Sequence, residues 1–122
     1  MAVRKVGFVG VRTKVLADMV RLFRDVLGVP IVRDSGDLVG FRLADGTALE
    51  LYGPDDDFHA FFETGPVVAF EVDNFDEARA AMIAAGVDFI GDIQRGEGVG
   101  WQHFRAPDGT ILEILGPSAE ST

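Results

Sequence analysis

One segment of this chain occurs twice, and that repetition constrains the fold more than any other feature. Residues 40–54 read GFRLADGTALELYGP, and residues 103–117 read HFRAPDGTILEILGP. Nine of the fifteen aligned positions are identical. Each copy holds an Asp-Gly pair between strand-like residues, a pattern typical of tight β-hairpin turns. The repeat therefore predicts two copies of one β-rich unit, each ending in a hairpin.

The regions before the two repeat copies also resemble each other. Apolar residues at helical spacing predict a first helix over 16–27. A second helix is predicted over 75–85, where Asn74 precedes a capping pattern. Strands are predicted at residues 6–13, 29–33, 47–52, 66–72, 87–90 and 110–115, and one further strand in each copy ends near Leu43 or Ala106. Each copy is thus expected to be a βαβββ module.

These elements predict an α+β fold of two βαβββ modules in tandem. Because one helix leaves one face of a four-stranded sheet uncovered, we expect two modules to form a curved sheet cleft with the helices outside. The predicted organisation is one domain over 1–122, with modules at 1–54 and 66–117, a connector at 55–65 and a tail at 118–122. We expect the glycine-rich segment 91–100 to be a mobile loop and the tail to be frayed. Whether this loop closes over the cleft is left open.

Composition and charge exclude several classes of function. The chain of 122 residues has no cysteine, which excludes disulfides, thiolate metal sites and a cysteine nucleophile. Its net charge of −9 disfavours binding to nucleic acid or anionic membranes and mildly favours cationic ligands. No apolar run reaches the length of a membrane span, and we find no signal-peptide pattern. We therefore expect a cytoplasmic protein whose partner is a small molecule, with no nucleic-acid or membrane partner.

Two glutamates, Glu50 and Glu113, occupy equivalent positions in the two repeat copies, between leucine-type neighbours. Since side chains alternate across a strand, those neighbours should face the helices and the carboxylates the inner sheet surface. Quasi-symmetry would then bring the two carboxylates close together, where they would attract a cation. The alternative is that both face water on the open side of the sheet.

The order of these features resembles the vicinal oxygen chelate superfamily of glyoxalases, bleomycin-resistance proteins and extradiol dioxygenases. The likeness rests on the doubled βαβββ pattern, on LFRDVLG at 22–28 and on PDGTILEILGP at 107–117. It covers nearly the whole chain and implies a homodimer.

In metal-binding members of that superfamily, a His on the first strand of each module and a Glu on the last converge on one divalent ion. Glu50 and Glu113 match the two Glu positions, but Phe8 and Val67 fall at about the places of the two His. The resemblance thus implies Zn, Ni, Mn or Fe as a candidate cofactor. The absence of the first-strand histidines instead favours a protein with no cofactor.

Three further side chains are candidates for ligand contacts. Trp101 and His103 share one side of the strand WQHFRA, and Arg12 shares a strand face with Phe8. His103 would be a further metal ligand or a proton carrier, and Trp101 would stack on a flat ligand. Alternatively, His103 is a strand residue with no functional role, and Trp101 packs in the core. Arg12 would pair with Glu50 or hold a substrate carboxylate, or else be an exposed or salt-bridged side chain.

Other polar residues favour structural roles. Arg42 and Arg105 recur beside the two hairpins, which suggests pairing with the hairpin aspartates. His59, in the connector sequence DDDFHAFF, is expected in a solvated loop rather than in a metal site with residues 55–57. The phenylalanines around it are expected to anchor the connector to the core or to form a dimer contact.

Three functions remain open from the sequence. The first is a binder, similar to bleomycin-resistance proteins, that takes a small cationic or aromatic molecule in an acidic cleft without the full metal-ligand set. Its predicted ligand contacts are Arg12, Trp101, His103, Phe8 and Val67. The second is a lyase, isomerase or dioxygenase using a divalent ion on Glu50 and Glu113, or one glutamate as a metal-free general base. The third is an accessory protein with an empty cleft.

Overall fold

The computed structural model describes residues 2–119. Its fold is α+β, with the strand and helix order of two successive βαβββ modules, as the sequence predicted. The strands are β1 (Val3–Arg12), β2 (Ile31–Asp34), β3 (Leu38–Arg42), β4 (Ala48–Tyr52), β5 (Val67–Val72), β6 (Asp88–Gly96), β7 (Val99–Arg105) and β8 (Ile111–Pro117). The helices are α1 (Leu16–Arg21), which continues into a π-helical turn (Leu22–Val26), and α2 (Phe75–Ala84). Among the described residues, no helix is long and apolar enough to cross a membrane.

The chain forms two compact units. One holds residues 8–67, and the other holds the chain on either side of that range. Strand β1 contributes to both units, since the division falls between Gly7 and Phe8. The module bounds predicted from the sequence, 1–54 and 66–117, stay a prediction.

The unit of residues 8–67 has the strand order β2-β3-β4-β1. Strand β1 runs parallel to β4, and β3 runs antiparallel to it. Alternate residues of these strands pack against α1 and the π-helical turn. The sheet side of this core consists of Val39, Phe41, Leu49 and Leu51, and the helical side includes Leu16, Met19, Val20 and Phe23. Glu50, between two of these leucines, therefore lies on the face away from the helix.

The other unit has the strand order β5-β8-β7-β6. Strand β8 pairs in parallel with β5 and antiparallel with β7. Helix α2 covers one face, and the buried core there consists of Val72, Phe75, Ala78, Phe104 and Ile114. Since Ile114 faces the helix, its neighbour Glu113 lies on the opposite face of the sheet. The predicted orientation of both glutamates relative to the helices is confirmed.

The two Asp-Gly hairpins have the same construction. Asp45 Oδ1 accepts a hydrogen bond from Thr47 N at 2.9 Å, and Asp108 Oδ1 accepts one from Thr110 N at 3.0 Å. Arg42 and Arg105 do brace these turns, but they donate to the carbonyl oxygens of the turn glycines, at 3.1 and 3.2 Å. The predicted pairing with the hairpin aspartates is wrong, because those carboxylates already accept backbone N–H groups.

Helix α2 follows the prediction closely. It runs over Phe75–Ala84, and Asn74 Oδ1 accepts from Glu77 N at 3.0 Å as an N-cap. The first helix differs, because α-helical bonding ends at Arg21 and a π-helical turn follows. Its hydrogen bond from Leu27 N to Leu22 O, at 2.9 Å, spans five residues. Apolar spacing alone does not distinguish this turn from a continued α-helix.

The segment 91–100 is not a loop, and this prediction is wrong. Its residues belong to β6 and β7, joined by a tight turn at Glu97 and Gly98 with φ of 54° and 78°. The pairing register of β6 shifts between Ile90 and Gln94, beside Gly91 with φ of 68°. The glycines therefore form a hairpin turn and a bulge rather than a mobile segment.

Ser118, the first residue of the predicted tail, is held by two hydrogen bonds. Its N–H donates to Gly98 O at 2.8 Å, and its Oγ donates to Asp76 Oδ2 at 2.7 Å. The prediction that fraying begins at Ser118 is therefore wrong. The rest of the predicted tail, residues 120–122, lies outside the described residues.

Candidate functional site

The central polar feature of the β5-β8-β7-β6 sheet is a buried His–Glu pair. His103 on β7 lies directly opposite Glu113 on β8, and His103 Nε2 is 3.2 Å from Glu113 Oε1. The two side chains are 9% and 7% exposed. Among residues 2–119, Glu113 has this contact with His103, and its oxygens are not among the buried side-chain atoms that lack a partner. Burying a carboxylate costs free energy even when an imidazole partners it, which makes this pair a candidate site.

Trp101 extends the same sheet face. It lies two residues before His103 on β7, opposite Leu115 of β8, and is half-buried. Glu71 of β5 is in register with the other side of Leu115, so alternation places a second carboxylate on this face. Sequence reasoning missed Glu71, although the alternation of side chains along the predicted strand VVAFEV, which puts Glu71 on the same side as Val67, was the signal that would have found it. The face therefore combines two carboxylates, an indole and an imidazole.

Glu50 has a different environment in its own unit. It is half-buried, and the hydroxyl of the fully buried Tyr52 donates to its Oε1 at 2.6 Å. The residue in register with Glu50 on β1 is Gly10. A Cβ on Gly10 would lie 2.9 Å from both the Phe8 and the Phe62 rings, so hydrocarbon fills the space beside Glu50. The Glu50 carboxylate is thus held by a hydroxyl and flanked by aromatic rings.

The connector packs onto this unit through His59. The His59 ring stacks on Tyr52, with centroids 3.5 Å apart and planes at 11°. Its Nδ1 lies 3.0 and 3.1 Å from the Asp56 carboxylate oxygens, and the side chain is only 13% exposed. The expectation of a solvated His59 is wrong, because ring stacking on Tyr52 removes it from water. Phe62 is 6% exposed and anchors the connector, whereas Phe58 is 57% exposed.

Arg12 also holds the connector in place. Its Nη2 donates to the carbonyl oxygens of Pro54 and Asp56, at 3.1 and 3.5 Å. Its Nε is buried without a hydrogen-bond partner in the described part of the chain. A ligand contact by Arg12 stays a prediction.

The residues present do not fit the metal site that the superfamily resemblance implies. Among residues 2–119, no three His, Cys, Asp or Glu side chains come together in a way that could hold a metal ion. The β1 and β5 residues in register with the two glutamates are Gly10 and Ala69, which offer no donor atom. Phe8 and Val67 are hydrocarbon as well. The described residues of neither unit bring together the three protein ligands that are typical of catalytic metal sites.

Comparison with known families adds to this geometry. The sequence profile of the Glyoxalase/Bleomycin resistance protein/Dioxygenase superfamily matches residues 5–114. The chain belongs to this superfamily. A search of curated protein sequences finds no match. Superfamily membership establishes the fold, whereas any reaction or ligand depends on the residues at the site.

Solved structures share the fold at low sequence identity. A Mn(II)-bound glyoxalase from Novosphingobium aromaticivorans has a TM-score of 0.74 and 21% identity, over 98% of this chain and 42% of that one. Methylmalonyl-CoA epimerase from Mycobacterium tuberculosis has a TM-score of 0.69 and 20% identity, over 94% and 89%. A glyoxalase/bleomycin resistance protein/dioxygenase superfamily member from Vibrio splendidus 12B01 has a TM-score of 0.68 and 18% identity, over 94% and 99%. These similarities concern the fold alone.

Proposed function

We propose that this superfamily member binds a small cationic or aromatic molecule, without a metal ion, on the sheet face that carries Trp101, His103 and Glu113. The observation that carries the proposal is that Glu113 is 5% exposed, with its carboxylate 3.2 Å from the imidazole of His103. An ionised carboxylate can accept several hydrogen bonds, so the contact with His103 leaves capacity for a ligand. A cationic group on the ligand would use that capacity at Glu113.

The surroundings of Glu113 support a flat, positively charged ligand. Trp101 offers an indole face on the same side of the sheet, and aromatic faces attract both flat rings and cations. Glu71 adds a second negative charge on that side. The net charge of −9 would also attract cations from solution and repel anions.

The test uses benzamidine, a flat aromatic cation, and benzamide, its uncharged analogue. Trp101 is the single tryptophan of the chain, so its fluorescence reports binding directly. We expect benzamidine to quench Trp101 and to bind at least tenfold more tightly than benzamide. Glu113→Gln should lose at least tenfold in affinity for benzamidine. The matched control is Glu63→Gln, an exposed glutamate in the connector, which should stay within twofold of the wild type. Equal effects of the two substitutions would overturn the proposal.

A second candidate function, metal-free proton transfer, is favoured by the 3.2 Å contact between His103 and Glu113. In this reaction class, Glu113 removes a proton from a carbon beside a carbonyl group and returns a proton to the substrate, while His103 orients the carboxylate. Incubation with methylmalonyl-CoA in D2O tests it. Deuterium incorporation by the wild type above the protein-free rate, lost in Glu113→Gln, would support an enzyme. Tight ligand binding with no exchange would favour the binder.

We also propose that the protein acts as a homodimer. Strands β2 and β6 each end the strand order of their unit, and open sheet edges are commonly covered by a partner chain. Light scattering coupled to size-exclusion chromatography should give twice the chain mass of 13.2 kDa. A monomer mass at micromolar concentration would contradict the proposal.

A further inference from the structure

A groove lies between α2 and strand β6, on the sheet face that the helix covers. Its volume is about 380 Å³, and its walls are Asp76, Arg79, Ala80, Ile83, Ile93 and Arg95. The four helix residues follow one face of α2 at spacings of three and four. The volume is near the lower limit for small-molecule sites, so the groove would take only a small ligand.

Arg79 presents a fixed guanidinium group to this groove. Its Nε donates to Gln102 Oε1 at 2.7 Å, and Gln102 Nε2 donates to Gly91 O at 2.7 Å. The guanidinium carbon also lies 5.3 Å from the Phe89 ring centroid. The two Nη groups of Arg79 make no hydrogen bond to any residue within 2–119. A guanidinium that is held at Nε and open at both Nη groups is preorganised to grip an anion.

The other two charges of the groove largely compensate each other. Arg95 Nη1 lies 3.1 Å from Asp76 Oδ1, and Ser118 Oγ donates to Asp76 Oδ2 at 2.7 Å. The hydrogen bond from Ser118, together with the hydrogen bond and charge of Arg95, holds the pKa of Asp76 below its usual value. Asp76 is therefore ionised at neutral pH and paired with Arg95. The remaining positive charge of the groove belongs to Arg79.

We propose that this groove binds a small organic carboxylate, with the anion on the Nη groups of Arg79 and a short apolar group on Ala80, Ile83 and Ile93. The three apolar residues form a wall beside the guanidinium, which matches a molecule with one charged end and one branched hydrocarbon end. The net charge of −9 opposes anions at long range, so short contacts must supply the affinity. We expect a Kd on the order of 1 mM, as is ordinary for a ligand of so few atoms. The site is independent of the function proposed above.

The test is an NMR titration of the amide resonances with isovalerate and with isovaleramide, its uncharged analogue. Isovalerate should shift the amide signals of Ala80, Ile83, Ile93 and Arg95 and saturate in the millimolar range. Isovaleramide should bind at least tenfold more weakly, because it leaves the guanidinium without an anion. Equal binding of the two probes, or no saturable shift with isovalerate, would overturn the proposal.

A matched pair of substitutions on α2 supplies the second arm. Ala80 lines the groove and Ala81 does not, while both are exposed and each follows an acidic residue four positions earlier. We expect Ala80→Glu to weaken isovalerate binding at least tenfold and Ala81→Glu to change it less than twofold. Both variants keep the bond between Arg79 and Gln102, so both should fold. If Ala80→Glu and Ala81→Glu lower the affinity for isovalerate equally, the added negative charge acts without regard to position, and the proposed site is wrong.

Discussion

The two glycines near the ends of the repeat copies, Gly53 and Gly116, should respond very differently to alanine. A Cβ on Gly116 would lie 2.4 Å from the backbone carbonyl oxygen of Val72 and 2.9 Å from its Cγ2. A Cβ on Gly53 would meet the Leu16 side chain at 3.1 Å, with the nearest backbone atom, the Asp37 oxygen, at 3.6 Å. Leu16 can change its rotamer, whereas the Val72 carbonyl moves only if the end of β5 moves.

The magnitude follows from the distance. Close carbon–oxygen contacts in proteins are about 3.3 Å, so Gly116→Ala requires a backbone shift of roughly 0.9 Å. Overpacking costs about 1–3 kcal/mol, and we expect the upper value, about 3 kcal/mol, because a backbone atom must move. Such a loss lowers Tm by roughly 10 °C in a chain of this size. For Gly53→Ala we expect less than about 1 kcal/mol, since the lower entropy of the unfolded chain offsets part of the crowding.

Urea unfolding followed by circular dichroism measures both variants against the wild type. Equal slopes with different midpoints would assign the change to stability. The reasoning is refuted if Gly116→Ala costs less than about 1 kcal/mol, or if Gly53→Ala costs more than Gly116→Ala.

Three further substitutions test local interactions by the same unfolding assay. Tyr52→Phe removes the hydroxyl that donates to Glu50 at 2.6 Å and should lower the free energy of unfolding by about 1.5–3 kcal/mol. An unchanged free energy of unfolding would show that this hydrogen bond does not stabilise the fold. Asn74→Ala removes the α2 N-cap and should cost about 1 kcal/mol, while Asn74→Asp should keep most of the cap. The pKa of Asp76 is lowered mainly by Ser118, so its stabilisation is present above the ordinary aspartate pKa of 3.8 and lost as the pH falls through the lower folded value. Asp76→Asn should therefore be less stable than the wild type at pH 7, with the difference shrinking below pH 3.8; a difference independent of pH would contradict this.

The internal repeat made the fold predictable, because a hairpin signal at the same place in two copies fixes the strand order around it. Alternation of side chains then placed Glu50 and Glu113 correctly on the faces away from the helices. Both inferences use local information: the spacing of apolar residues and the conformational demands of Asp-Gly turns. Prediction from the sequence was strongest where short-range patterns decide the structure.

The errors have a common physical origin in specific side-chain contacts and backbone pairings that the spacing of apolar residues does not report. His59 looked like a loop residue, and only its stacking on Tyr52 shows that it is half-buried. The glycines of 91–100 looked mobile, but their positive φ angles belong to a bulge and a turn of a paired hairpin. The different environments of Glu50 and Glu113 were also not predictable from the sequence. Glu50 accepts a hydrogen bond from the Tyr52 hydroxyl, whereas Glu113 lies beside the imidazole of His103.

The central claim is that the face around Glu113 takes its ligand without a metal ion. The most direct test is a benzamidine titration of Trp101 fluorescence with protein stripped of metal by EDTA, repeated after addition of Mn(II). We predict the same Kd within twofold under both conditions, because among residues 2–119 no third His, Asp or Glu, Glu71 included, comes together with His103 and Glu113 to hold a metal ion. Binding that appears only with Mn(II), at about one ion per chain, would contradict the account.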